Sequence, residues 1–254
     1  MSSLGDLRRR EGGSGRAALL VRIGRLGYQT VQTSVRVGAL NVPFVHIADP
    51  DRVLDQVAEE EDRREKLAGR RTAGDELHLP YWAEVWDSGA GVAQHLVSPP
   101  SDRWMGKSAL DLGCGMGLTG TVAARLGMRV LFADREPPAL LFARLNSLAD
   151  APRVRTRLLN WQTDRLGETF DLILGADILY EKRQWDFLEP FWRAHLAAGG
   201  TVLLGEPGRQ TGDQFLDWIR ARGGWDLRQH SEKVTTRPTP IRLFELTATS
   251  SPKC

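Results

Sequence analysis

The residues best suited to chemistry lie near the middle of the chain, in Asp111–Leu112–Gly113–Cys114–Gly115–Met116–Gly117. They follow directly on the apolar run Ser108–Leu112. Alternating glycines let the backbone turn tightly and let a ligand approach main-chain atoms. A helix-forming segment, Leu118–Leu126, comes next. Open parallel sheets bind ligands at the carboxyl ends of their strands, which is where such a loop sits. Three further segments follow apolar runs in the same way: Asp134, Asn160–Trp161, and Asp177–Ile178–Leu179–Tyr180. All four are therefore expected on one edge of one sheet.

Charge separates the ligands that such an edge can hold. Gly115, Gly117 and Gly120 satisfy G-x-G-x-x-G, the dinucleotide fingerprint. A dinucleotide places its pyrophosphate on the helix N-terminus, and Asp111 would set a carboxylate beside that anion. S-adenosylmethionine has no phosphate. Its sulfonium and ammonium are drawn to an acidic strand end, so the spacing D-x-G-x-G-x-G favours it over NAD. Asp134 can accept two hydrogen bonds from vicinal ribose hydroxyls, as in adenosine cofactors generally; the alternative is a helix N-cap before Arg135–Pro138. The Trp161 indole can lie against the adenine, with the Asn160 amide on the base edge, or it can fill the core.

The reacting end is expected near Tyr180. Upstream, Trp82 and Trp86 in Trp82–Gly89 (WAEVWDSG) could complete an aromatic wall with Tyr180, favouring a cationic amine by cation–π attraction. Their spacing of four also fits a helical core stripe. Methyl transfer from a sulfonium is an in-line displacement that mainly needs alignment and exclusion of water. Were the acceptor an amine, it would first have to lose a proton, and Asp177 and Glu84 are the carboxylates that could take it.

These motifs resemble the class I, seven-strand methyltransferases. More narrowly, they are similar to the branch that holds protein lysine methyltransferases and nicotinamide N-methyltransferase-like proteins (methyltransferase family 16). The resemblance runs over about residues 79–247. It implies S-adenosyl-L-methionine as cofactor, S-adenosyl-L-homocysteine as product, and an amine nitrogen as acceptor, with protein lysine ahead of a small amine or pyridine. It also implies that Asp111, Gly113, Gly115 and the loop through Gly117 hold the methionine end. Asp134 would hold the ribose, and Trp161 with Asn160 the adenine region. Asp177 and Tyr180 would stand at the border of cofactor and substrate, with Trp86 near. The chain departs from the branch at Asn160, where an Asp is common, and at Asp87, where a Pro is common. It has no N-P-P-Y or D-P-P-Y after the fourth run, which disfavours amide and nucleobase amino acceptors.

Elements that could position these residues alternate from Lys107 onward. Strand readings at 108–112, 129–133, 153–159, 170–176 and 201–206 are separated by helical segments; strands at 225–234 and 241–248 are joined without one. The expected fold is α/β: a Rossmann-like, doubly wound, seven-stranded sheet, mostly parallel with an antiparallel last strand. A small strand–helix extension precedes it. It has two strands meeting near Gly38–Asn41 and a helix from Asp49, whose charge run Glu59–Lys66 is a solvated face. The expected units are a flexible basic tail over 1–16, the extension over 17–100, and the methyltransferase domain over 101–254.

Composition excludes several classes. Lys and Arg number 34 against 32 Asp and Glu, a formal charge of only +2, which argues against a nucleic-acid partner. No apolar run approaches the roughly 20 residues of a membrane span, and the N-terminus lacks a secretory core. The two cysteines, Cys114 and Cys254, are no disulfide framework, so a cytoplasmic setting is expected. Cys114 reads as a small filler. His46, His78, His95, His195 and His230 show no metal-ligand spacing, so no metal is expected, and His95 and His195 read as surface or half-buried. Trp185, Phe187, Phe191 and Trp192 read as the core side of one helix. The competing functions are an NAD-type oxidoreductase and a non-catalytic module that recognises a partner through its N-terminal extension. Neither the acceptor amine nor the oligomeric state is encoded.

Overall fold

Short apolar runs bounded by glycine and charged residues become the strands of one twisted sheet. The computed structural model describes residues 4–68 and 79–249. Its main sheet contains β3 (Ser108–Leu112), β4 (Arg129–Asp134), β5 (Val154–Leu158), β6 (Phe170–Ala176), β7 (Leu196–Glu206), β8 (Trp225–Glu232) and β9 (Ile241–Ala248). Their order is β5-β4-β3-β6-β7-β9-β8. The first five run parallel, and β9 is antiparallel to both its neighbours. The expected doubly wound sheet is therefore present. β7 starts at Leu196, five residues ahead of the strand reading at 201–206.

Helices cover both faces, so the central strands are apolar throughout. Side chains alternate across the sheet. Ala109, Val130, Leu172 and Leu174 pack with α3 (Asp87–Val97) and α4 (Leu118–Arg125). Leu110, Leu131 and Ile173 face the other way, onto α6 (Lys182–His195) and α7 (Gln210–Arg222). α5 (Pro137–Asn146) begins with Pro137 and Pro138, in the first turn where the missing N–H costs nothing. The chain leaves β3 towards β4 on one side, and β6 lies on the other. This reversal opens the crevice at the strands' carboxyl ends.

The N-terminal part contains α1 (Leu4–Arg25), the hairpin β1 (Thr30–Val37) and β2 (Leu40–Ile47), and α2 (Pro50–Ala68). The hairpin and α2 stand where the sequence puts them. Residues 4–16, expected as a flexible tail, fall within α1; residues 1–3 lie outside the described residues. Leu19 and Ile23, four apart, bury one face of α1 against Phe142 and Leu145 of α5. The glycines of residues 5–15 hide that periodicity. Buried residues on both sides of residue 101 share one core, Val37, Val92 and Leu96 packing with Ala109 and Val130. The Asn146 amide accepts from Val45 N–H (2.7 Å) and donates to the carbonyls of Val45 and Met116 (2.9 Å each). One buried side chain thus ties the hairpin, α5 and the glycine loop together. No helix among the described residues is long and apolar enough to cross a membrane.

Candidate active site

The loop after β3 has Gly113, Gly115 and Gly117 at φ of 65°, 51° and 83°, a region that disfavours other residues. It delivers the chain into α4, whose third residue is Gly120. The Gly120 N–H donates to Asp111 Oδ2 at 2.8 Å. Asp111 therefore satisfies one of the free amides in the first turn of α4. The protein's own anion sits where a pyrophosphate would need to bind. The approach is close: a Cβ on Gly120 would lie 2.3 Å from a Phe132 ring carbon and 2.7 Å from Asp111 Oδ2. Gly120→Ala is expected to lower stability by about 1–3 kcal/mol through this overlap, read as a reduced urea midpoint. An unchanged midpoint would show that the contact is not tight.

Asp111 and Asp134 are both almost fully buried and line one cavity of about 860 Å³. Burial pushes Asp111 up to about 7, against the Gly120 hydrogen bond and with help from the charge of Asp134. Burial likewise pushes Asp134 up to about 6, opposed by the N–H groups of Glu136 and Gly115. Asp134 Oδ2 accepts from Gly115 (2.8 Å) and Oδ1 from Glu136 (3.0 Å). The N-cap of α5 is Glu136, not Asp134. A carboxylate has about four lone-pair positions, so Asp134 keeps capacity on the cavity side.

Trp161 and Asn160, after β5, line the same cavity. The Trp161 ring lies beside Gly113, 3.5 Å from where a Cβ would stand, and its Nε1 donates to Gln184 Oε1 at 3.0 Å. Asn160 is exposed, and its Oδ1 accepts from the Gln162 N–H at 3.0 Å.

Asp177, Tyr180, Glu84 and Trp86 line the other end. Asp177 follows β6 with φ at 59°, an unusual conformation for a residue with a side chain. Its buried carboxylate is held through both oxygens by the Arg209 guanidinium, Nη2 to Oδ2 at 3.1 Å. Burial raises its pKa and Arg209 opposes the rise. Glu84 is exposed, and its pKa is raised by burial and then by Asp51, Asp177 and Asp87. Burial, with Glu181 and Tyr81, pushes the Tyr180 phenol up to about 12.

The aromatic wall differs from expectation in one member. Trp82 is buried edge-on to Tyr28 (5.3 Å) and tilted to Phe142 (6.0 Å), so most of it belongs to the core. Its neighbour Tyr81 takes the place, edge-on to Tyr180 at 5.2 Å and to Trp86 at 6.2 Å. The cause is local. Tyr81–Ala83 is one 3-10 turn, followed by an extended Glu84, and α3 starts only at Asp87. The Trp86 indole donates to the Tyr81 carbonyl at 2.8 Å, and the Arg209 guanidinium lies 5.7 Å from its ring.

Sequence reasoning missed Tyr81, Gln184, Arg209 and Phe187. Phe187, expected in the core, is exposed at the cavity rim, while Trp185, Phe191 and Trp192 are buried. Arg209 was findable, because it follows β7 on the same edge. Glu206, which ends β7, accepts from the N–H groups of Gly208 (2.9 Å) and Arg209 and holds that loop. His195 is buried rather than half-exposed: Leu166 N–H donates to its Nε2 (2.8 Å), and its Nδ1 donates to the Phe191 carbonyl (2.7 Å). The Cys114 thiol, raised by burial and by Asp134 and Asp111, is a poor nucleophile.

A family model described as lysine methyltransferase matches residues 79–221. The electron transfer flavoprotein beta subunit lysine methyltransferase of Danio rerio is 35% identical over 144 residues, covering 54% of this chain and 53% of that protein. The protein N-lysine methyltransferase METTL21A of Xenopus tropicalis is 37% identical over 129 residues, covering 48% and 58%. The chain spans about half the length of the curated relatives it matches. Magnesium protoporphyrin IX methyltransferase from Synechocystis PCC 6803, solved with bound SAM, superposes with a TM-score of 0.53 at 16% identity, covering 80% of this chain and 98% of that one. At that identity the likeness concerns the fold.

Proposed function

We propose a function for a chain that belongs to the lysine methyltransferase family: transfer of a methyl group from S-adenosylmethionine to the side-chain amine of a protein lysine. One observation carries the donor. Two buried carboxylates, Asp111 and Asp134, line a single cavity, and among the described residues no cationic side chain is hydrogen-bonded to either. Buried charges are ordinarily paired, and a donor bearing a sulfonium and an ammonium would supply that charge. S-adenosylmethionine, when bound, brings a methyl group already activated for displacement. Gly113, Gly115 and Gly117 let its methionine end approach the backbone. Asp134 accepts from the ribose hydroxyls, and Trp161 with Asn160 borders the adenine.

The acceptor end supports an amine. Tyr81, Trp86 and Tyr180 border the place where a cation would meet a ring face, each good contact over a face being worth about 0.5–2 kcal/mol. Asp177 has both carboxylate oxygens engaged by Arg209, so an amine proton reaches it poorly even though burial raises its pKa. Glu84, exposed and with its pKa raised, is the better base. A second recess of about 410 Å³ shares Glu84, Val85, Trp86 and Asp177 with the cavity and continues past Arg209 to Arg237. That opening suits a side chain arriving from a protein surface better than an enclosed small amine. The near-neutral charge supports a protein partner over a nucleic acid, and cysteine usage supports the cytoplasm.

Deuterated S-adenosylmethionine, incubated with the protein and a lysate, is expected to label lysine residues; mass spectrometry of proteins and metabolites reads it. Label found only on small amines or pyridines would replace the acceptor, and no label with retained cofactor binding would favour a non-catalytic module. Glu84→Gln is expected to lower turnover at least about tenfold and to remove the rising limb of the pH–rate profile. Asp177→Asn and Tyr180→Phe are expected to lower turnover with S-adenosylhomocysteine affinity within about twofold. Full turnover in all three variants would overturn the assignment.

A further inference from the structure

His95 and His230 lie 135 positions apart in the chain, and the fold brings their rings to 4.9 Å between centroids. His95 is in the last turn of α3. His230 is in β8, paired with Leu243 of β9, and Glu245 is two residues further along β9 on the same face. That is the face of the sheet on which α3 lies, since Ile241 and Leu243 pack with Val92 and Leu96. One ligand atom each from His95, His230 and Glu245 all fall within 4.8 Å of one another. Glu232 stands behind, its Oε1 3.1 Å from His95 Nδ1, and Glu245 Oε2 is 2.8 Å from His230 Nε2. The four side chains are 13–36% exposed, sheltered but reachable.

We propose that His95, His230 and Glu245 form a binding site for a divalent transition-metal ion, at the contact of α3 with the β8–β9 edge. Two imidazoles and a carboxylate are the donor set of His₂Glu zinc sites, with a fourth position left for water or for Glu232. Glu232 accepting from His95 Nδ1–H would turn Nε2 towards the ion, the usual carboxylate–histidine–metal arrangement. With neutral imidazoles the cluster carries two negative charges, which a divalent cation neutralises. Two close imidazolium rings, by contrast, would repel. The sequence expectation of no metal rests on spacing along the chain, which says nothing about residues brought together by a helix packing across two strands.

The ion would staple two elements that border the acceptor recess. α3 begins beside Trp86, and Asp87 at its start accepts a hydrogen bond from the Thr236 hydroxyl in the β8–β9 connection. Arg237 of that connection lines the recess. The site itself is independent of what the recess binds.

The test is titration of the chelator-treated, untagged full chain with zinc chloride by calorimetry, with cobalt(II) absorption as a second probe. One equivalent should bind, at least about 30-fold tighter than to a His95→Asn/His230→Asn double variant. Cobalt(II) should show visible bands of a four- or five-coordinate site, and saturating zinc should raise the melting temperature of the parent alone. Glu245→Gln should weaken binding as well, and circular dichroism checks that each variant is folded. Absence of zinc binding by the parent, or equal affinity in folded variants, would overturn the proposal.

Discussion

Asp134→Asn is expected to weaken S-adenosylhomocysteine binding on the order of 100-fold at pH 8 and to leave the empty protein at least as stable as the parent. The affinity loss follows from two hydrogen bonds between ribose hydroxyls and a charged acceptor, each worth about 1.5–3 kcal/mol. Asparagine keeps one acceptor oxygen and no charge, so a net loss near 3 kcal/mol, or about 100-fold, is reasonable. The stability expectation has the opposite sign. Asp134 is pushed up to about 6 by burial, so its ionised form is disfavoured in the empty fold. That cost is absent at acid pH and full at pH 8, and asparagine removes it. Calorimetric titration and urea unfolding at pH 5 and pH 8 separate the two effects. Unchanged affinity would sink the ribose role. Loss of both affinity and stability would show that Asp134 mainly clamps the Gly115 and Glu136 amides.

Much of this half of the site was legible because its parts are local in sequence. A parallel strand buried on both faces must be an apolar run, and the residues after each run must fall on one edge. Asp111, the glycines, Asp134, Trp161 and Asp177 are all found that way. The acceptor half depends on packing that no local pattern encodes. Whether Tyr81 or Trp82 faces the cavity is decided by a single 3-10 turn. The partner of Asp177 is Arg209, on a different strand end. Asn146, which secures the glycine loop, reads in sequence as an ordinary helix-end residue, and its bond to Val45 spans 101 positions. His95 and His230 are met in the same way. The position of a residue at its own strand's end was legible; the pairing between two strand ends, as of Asp177 with Arg209, was not.

Donor affinity itself is expected to fall on the order of 100- to 1,000-fold between pH 8 and pH 5. Asp111 lies at about 7 and Asp134 at about 6. At pH 5 the first sits roughly two units, and the second one unit, below its own titration. If a cationic donor requires both carboxylates, about three decades are lost, a decade per unit per proton. The two acids influence each other, so the measured values belong to the pair. Stability of the empty fold runs the other way. Both folded-state values lie above the ordinary 3.8, so the protonated forms favour the fold. That contribution is complete below about pH 4 and is lost as pH rises through 6 to 7. The donor should therefore raise the melting temperature little at pH 5 and most at pH 8. S-adenosylmethionine, with one positive charge more than S-adenosylhomocysteine, should show the steeper dependence, and Asp134→Asn should flatten both by about one proton. Proton release measured in buffers of different ionisation enthalpy near pH 6.5 gives the count directly. An affinity that stays flat from pH 5 to pH 8 would mean that these carboxylates do not hold the donor's charge.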